Sequence, residues 1–194
     1  MKETTVNFFL NVLSVILGIV ITFTIQGMID RAGDKKEVRS ALELVRSELS
    51  TNLGDISIMT DYLAQERQSA DYFRRHEKDL SRCPADSVQY HSGILFAEAS
   101  ITASNDALEL LKMSSLFQKV GNNALSMRII RAYDCCASIV TNLNRHISTR
   151  NTRFEEVGRI DVKWLSAQAD PALFADVSDI EEAIAAIDAY LKKH

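Results

Sequence analysis

The sequence predicts an all-α protein: an N-terminal transmembrane helix (residues 1–29) followed by a helical domain (residues 30–194) built as a long-helix antiparallel bundle or coiled-coil-like unit. Three observations carry this expectation. The stretch VNFFLNVLSVILGIVITFTIQGM, Val6 to Met28, contains no charged residue. Beyond it, two long stretches repeat apolar residues at alternating three- and four-residue spacings, the period of a helix face. Two prolines and seven glycines are too few for a turn-rich β fold of this length.

As a helix, Val6–Met28 spans about 34 Å, enough to cross a hydrocarbon core of ~30 Å. A cleaved secretory signal is a poor match. It needs a shorter apolar region, a basic start and a small-x-small site, whereas here Lys2 is followed at once by Glu3. The flanks set the orientation. Arg31, Lys35, Lys36 and Arg39 follow the segment and only Lys2 precedes it, which places the C-terminal domain in the cytoplasm, at a bacterial inner membrane. At about 100° per residue, Asn7, Asn11, Ser14, Gly18 and Thr22 fall within an arc of about 80°. Small and hydrogen-bonding residues on one stripe are what helices use to pack in lipid, so the stripe predicts a homo-oligomer.

Gly33-Asp34 reads as a break, with Asp34 as N-cap of the next helix. That helix, from Lys35 to Phe73, carries the seam Val38, Leu42, Val45, Leu49, Asn52, Ile56, Met59, Leu63, Ala70 and Phe73. Only Glu66 falls out of the series. Asn52 on the seam can fix register by pairing with another buried amide. Gly54 weakens the helix locally. Residues 74–87 read as a helix end and turn, stopped by Pro84, and the following VQYHSGILFAEASI fits helix or extended structure equally.

Ser104 or Asn105 is placed to cap ALELLKM, and a short helical turn then closes at Gly121. Asn122 or Asn123 opens a second long helix, apolar at Leu125, Ile129, Ala132, Cys136, Ile139, Leu143 and Ile147 and running to about Phe154. Trp164 lies in an irregular stretch ending near Pro171 and fills a gap in the domain. The last helix starts with a capping box, Ser178 with Glu181, and buries Ile180, Ile184, Ile187 and Leu191.

A net charge of -4 gives no footing for nucleic acid. Cys83, Cys135 and Cys136 do not make a disulfide framework, and Cys136 sits on an apolar face as a packed thiol. The four histidines lack the spacing of a helical metal site, and no phosphate-binding loop or nucleophile elbow is present. No catalytic residue, metal or cofactor is therefore assigned. The most function-like cluster is basic: Arg128, Arg131, Arg145, Arg150 and Arg153, with His146 among them, against the single acid Asp134. Guanidinium groups fit phosphates, so the cluster is a candidate anion site. The acidic stretch after Phe154, nine acids against four cations, offers it an internal partner.

The anchor core LGIVITFTIQG, the following EVRSALELVRSELSTNL, and NDALELLKMSSLFQKVGNNALSMRIIRAYD resemble a family of uncharacterised bacterial proteins with one N-terminal membrane helix and a helical domain. The resemblance covers about two thirds of the chain and implies the same architecture. It assigns no activity, so no residue inherits a role. Two functions stay open: a non-enzymatic assembly or interaction domain on a membrane anchor, with the lipid bilayer and a second copy as partners, or a ligand-gated effector that senses an anion and perturbs the bilayer.

Overall fold

No proline occurs before Pro84, and in the computed structural model the chain is one helix, α1, from Lys2 to Arg75. The structure describes residues 2–157 and 160–193, without the side chains of residues 2–16, 18, 19, 21–32 and 174. The break expected at Gly33-Asp34 is absent. A lone glycine costs a helix only about 1 kcal/mol relative to alanine, and Gly33 and Gly54 both face open space. Asp34, expected as an N-cap, instead takes an ion pair from Lys119 Nζ at 2.8 Å. The stripe Asn7, Asn11, Ser14, Gly18 and Thr22 lies outside the described side chains. Among the described residues no helix is long and apolar enough to cross a membrane.

The remaining helices are α2 (Ala85–Leu95), α3 (Asp106–Met113), α4 (Leu116–Val120), α5 (Asn123–Val157), α6 (Val162–Ser166) and α7 (Ser178–Lys193). A 3₁₀ turn covers Pro171–Phe174. VQYHSGILFAEASI, ambiguous in sequence, divides: its first half completes α2, and residues 97–105 form an irregular strap.

Paired residues define an up-down-up-down bundle. The strand of chain from α2 to α4 descends antiparallel to α1, meeting it at Ser69–His91, Tyr62–Ile94, Asn52–Ser104 and Glu37–Lys119 in turn. Gly121, at φ 64°, makes the left-handed turn that glycine adopts without strain. Helix α5 then climbs parallel to α1, meeting it at Glu48–Tyr133 and Glu66–Arg150. Helix α7 descends again, with Asp188 on Arg46 and the Leu191 carbonyl 2.9 Å from Arg39 Nη1. The bundle is thus antiparallel between successive elements, as the periodicity predicts, and its second leg is segmented.

Leu42, Leu49, Ile56 and Leu63 are fully buried, and Asn52 is buried with them. They pack on the chain's own α3, α4, α5 and α7, whose Leu111, Val120, Ile129, Leu143 and Ile187 complete the main core. Each such leucine or isoleucine contributes about 1.5–3 kcal/mol by burial. The α1 seam is therefore consumed within one molecule. A second apolar cluster, Ala70, Leu95 and Leu165 with Phe73, Phe154 and Trp164 around them, closes the far end.

Of three helix starts, α5 begins as expected and α3 and α7 differ in detail. Asn105 occupies the N-cap position of α3 but makes no side-chain cap bond; Ser104 Oγ accepts the Asp106 N–H at 3.4 Å, and the Glu48 carboxylate of α1 takes the Ala107 N–H at 3.1 Å. Asn122 caps α5, its Oδ1 accepting from Leu125 N at 3.1 Å. At α7 the Ser178 N–H goes to Asp176 Oδ1 at 3.0 Å, so Asp176 does what Ser178 was expected to do.

Candidate functional site

The five arginines of the basic cluster all lie on α5, strung along about 38 Å of helix axis from Arg128 to Arg153. Arg128, Arg131 and Arg145 are exposed and make no ion pair among the described residues. The other two are engaged. Arg150 is only 4% exposed, and its Nη1 donates to Oε1 of Glu66, itself 1% exposed. Its Nε and Nη2 donate to Asn151 Oδ1 at 3.0 and 2.9 Å, and Tyr62 Oη lies 3.4 Å from Nη1. Its guanidinium carbon stands 5.9 Å from the Phe154 ring centre. Burial raises the pKa of Glu66, against the pull of Arg150, while the guanidinium stays charged. Arg150 thus has its anion already, inside the protein.

Arg153 donates from Nε to Asp161 Oδ2 at 3.2 Å, and Asp161 Oδ1 caps α6 by accepting from Trp164 N at 3.0 Å. These bonds, that of Trp164 first, hold the Asp161 carboxyl below its ordinary range. Trp164 is thereby fixed over α5, stacked on His146 with ring centres 6.2 Å apart and planes 20° apart. Gln168 Nε2 donates to the Trp164 carbonyl at 2.9 Å.

The result is a cleft of about 350 Å³ lined by Asn142, Arg145, His146, Thr149, Trp164 and Gln168. Burial, and then the charge of Arg150, lowers the His146 pKa, which leaves a neutral imidazole near pH 7. A free guanidinium, a neutral imidazole, two amides and an indole face can hold a planar or phosphorylated anion. A larger cleft of about 710 Å³ runs beside Arg150, but Glu66 neutralises that arginine, and Glu98 and Glu155 line the opening.

Two further chemistry-bearing groups are built into the interior. Cys136 is buried and its thiol pushed up to about 11, by burial first and the Cys135 charge second. His91 Nδ1 lies 3.0 Å from Ser69 Oγ, but Ser69 is fully buried and has no access to a substrate. Among the described residues no group of three metal-ligating side chains is placed to hold a metal ion.

The strap is held by two asparagines that sequence reasoning assigned differently or missed. Asn52 donates to the Ser104 carbonyl at 2.8 Å and accepts the Ser104 N–H at 3.0 Å, so its partner is a backbone amide. Asn144 makes the same two-way contact with Ile101 from α5, at 2.7 and 3.4 Å. Glu48 binds the lower end of the strap, taking Tyr133 Oη at 2.6 Å, Ser104 Oγ and the Ala107 N–H. Sequence periodicity alone could have found Glu66 and Arg150 together, since each occupies a seam position of its helix. Glu48 and Asn144 left no comparable signal.

Compared with protein-family models, curated proteins and solved structures, the chain matches none.

Proposed function

We propose that the chain is a single-pass membrane protein whose helical domain is an interaction and assembly module on the cytoplasmic face of a bacterial inner membrane. The observation that carries the reading is the charge-free Val6–Met28, whose cation-rich C-terminal flank sets the orientation. Its supporting context is the backbone of α1, which runs from that segment into the bundle without interruption. Since Leu42, Leu49, Asn52, Ile56 and Leu63 are spent within the chain's own core, self-association falls to the stripe Asn7, Asn11, Ser14, Gly18 and Thr22.

Single substitutions Asn11→Cys, Ser14→Cys and Gly18→Cys, in a chain freed of its native thiols, test this in isolated membranes. Oxidation should trap dimers or higher species from at least one of them. Monomer from all three removes the homo-oligomer. A C-terminal reporter active only in the cytoplasm fits the orientation, and one active only outside reverses it.

A second reading draws on the cleft at Arg145. An anionic ligand held there by Arg145 beside Trp164 would make the bundle a sensor that acts on the bilayer through α1. Membrane damage on expression that disappears with Arg145→Ala supports this effector reading, and damage indifferent to that change removes it.

A further inference from the structure

Where α1 enters the bundle, it meets the C-terminal ends of α4 and α7. A cleft of about 360 Å³ opens there, lined by Lys35, Val38 and Arg39 of α1, Lys119 of α4, and Tyr190 and Leu191 of α7, with Asp34 at its edge. Lys36, Lys192 and Lys193 adjoin these lining residues in sequence, giving six cations, with Arg46 two turns further along α1. The carboxylates at this end are Asp34, Glu37, Glu43 and Asp188, the last held by Arg46 first and by Lys192 more weakly. Lys119 Nζ pairs with Asp34 at 2.8 Å and with Glu37 at 3.5 Å. Arg39 bridges Glu43 at 3.1 Å and caps the Leu191 carbonyl, which offsets the negative end of the α7 dipole. Lys35, Lys36 and Lys193 make no ion pair among the described residues. With Arg46 and Asp188 counted, seven cations stand against four carboxylates, so the charge at this end is positive.

Its height along α1 matters as much as its charge. Asp34 to Arg39 lie about 9 to 17 Å beyond Met28 along the helix axis. The headgroup layer reaches roughly 5–8 Å past the hydrocarbon, and lysine stems bend back several ångströms toward it. The cleft walls supplied by Val38, Tyr190 and Leu191 are apolar and aromatic, as at a membrane interface. Charge, height and apolar walls coincide at this one end of the bundle.

We infer that this cleft binds an anionic phospholipid headgroup, with Lys35, Arg39 and Lys119 around the phosphate and Lys36, Lys192 and Lys193 reinforcing the contact. Headgroup binding seats the α4–α7 end of the bundle on the bilayer surface. The inference rests on reading Val6–Met28 as the anchor.

Native mass spectrometry of the full chain in neutral detergent tests it, with phosphatidylglycerol and phosphatidylcholine of identical acyl chains as probes. Phosphatidylglycerol should bind at least tenfold tighter. Lys35→Gln with Lys193→Gln removes two cations that have no internal partner, so the fold is spared. Each lysine near an anionic surface contributes about a fivefold preference, so the pair of substitutions should erase most of it. Lys78→Gln with Arg82→Gln, the same charge change at the far end, should leave it intact. Equal binding of the two lipids, or equal loss in both variants, overturns the inference. Displacement by millimolar glycerol 3-phosphate identifies a site for free phosphate esters and overturns the lipid assignment. Alkaline carbonate extraction of the chain from membranes separates the two levels. Release of the chain removes the anchor itself, whereas retention with no lipid preference removes the headgroup site alone.

Discussion

Glu66 and Arg150 meet in the interior between α1 and α5, each a charged residue at a seam position of its helix. The pair lies between the main core and the smaller cluster around Ala70, Leu95 and Leu165. Two charges so placed must be matched, because either one alone would carry the full penalty of a buried ion.

Removing one partner is therefore expected to cost far more than removing both. Glu66→Ala should destabilise the bundle by about 3–5 kcal/mol, since it strands a buried guanidinium. Glu66→Leu with Arg150→Met should recover most of that loss. Denaturant unfolding of the full chain in detergent, followed by helical circular dichroism, reads both. A single variant within about 1 kcal/mol of the parent contradicts the pairing.

Glu48 gives the fold a defined acid sensitivity. Burial disfavours its charge, but hydrogen bonds from Ser104, Tyr133, Ala107 and Asp106 outweigh that and hold its pKa below the ordinary carboxylate value. A depressed folded pKa stabilises fully above the unfolded value, near 4.3, and the contribution is lost as pH falls through the folded one. Stability measured between pH 6 and 3 should fall more steeply in the parent than in Glu48→Gln, which has no such charge to lose. Parallel curves would refute the assignment.

The strap depends on amide geometry as well as on the burial of Ile101. Asn52→Leu keeps the branched side-chain shape but leaves the Ser104 N–H and carbonyl without partners, at about 1–3 kcal/mol. Hydrogen exchange at residues 101–107 should accelerate in that variant before the core amides of α5 respond. Asn144→Leu should produce the same pattern centred on Ile101, where its own two bonds are made.

His146 offers a readout of the cleft. Its pKa is lowered by burial and by Arg150, so its imidazole resonances should titrate below pH 6.5. Trp164→Ala exposes the ring and should move the midpoint upward toward the ordinary value. A midpoint at or above 6.5 in the parent would show that His146 is not covered in this way.

Sequence periodicity read the elements well and their connections poorly. The seams of α1 and α5 were legible because burial on one face imposes a 3.6-residue period, and Asn122 was legible as a cap from its position. Continuity through Gly33 and Gly54 was not, since a glycine facing solvent leaves no mark distinguishing a tolerated residue from a break. The caps of α3 and α7 were legible only in part: Ser104 Oγ takes the Asp106 N–H at 3.4 Å, but the Ala107 N–H goes to Glu48, far away in sequence, and at α7 the acceptor is Asp176, two positions before the expected box. As for the arginine cluster, charge counting found the residues but could not see that Arg150 turns inward and Arg153 turns to Asp161. Of the three left without an ion pair, Arg128, Arg131 and Arg145, it is Arg145 that lines a cleft with an aromatic wall, and that wall, Trp164 of α6, lies nineteen residues downstream.

The uninterrupted backbone of α1 has a mechanical consequence. A rod with no hinge between Lys2 and Arg75 acts as a lever, and Arg75 lies roughly 70 Å along it from Met28. A tilt of about 10° at the Met28 end sweeps the other end through roughly 12 Å. No side chain in the core needs to change partners for this, because α3, α5 and α7 ride on the same shaft. Small reorientations near the N-terminus are thus amplified into large displacements at the Tyr62–Arg75 end.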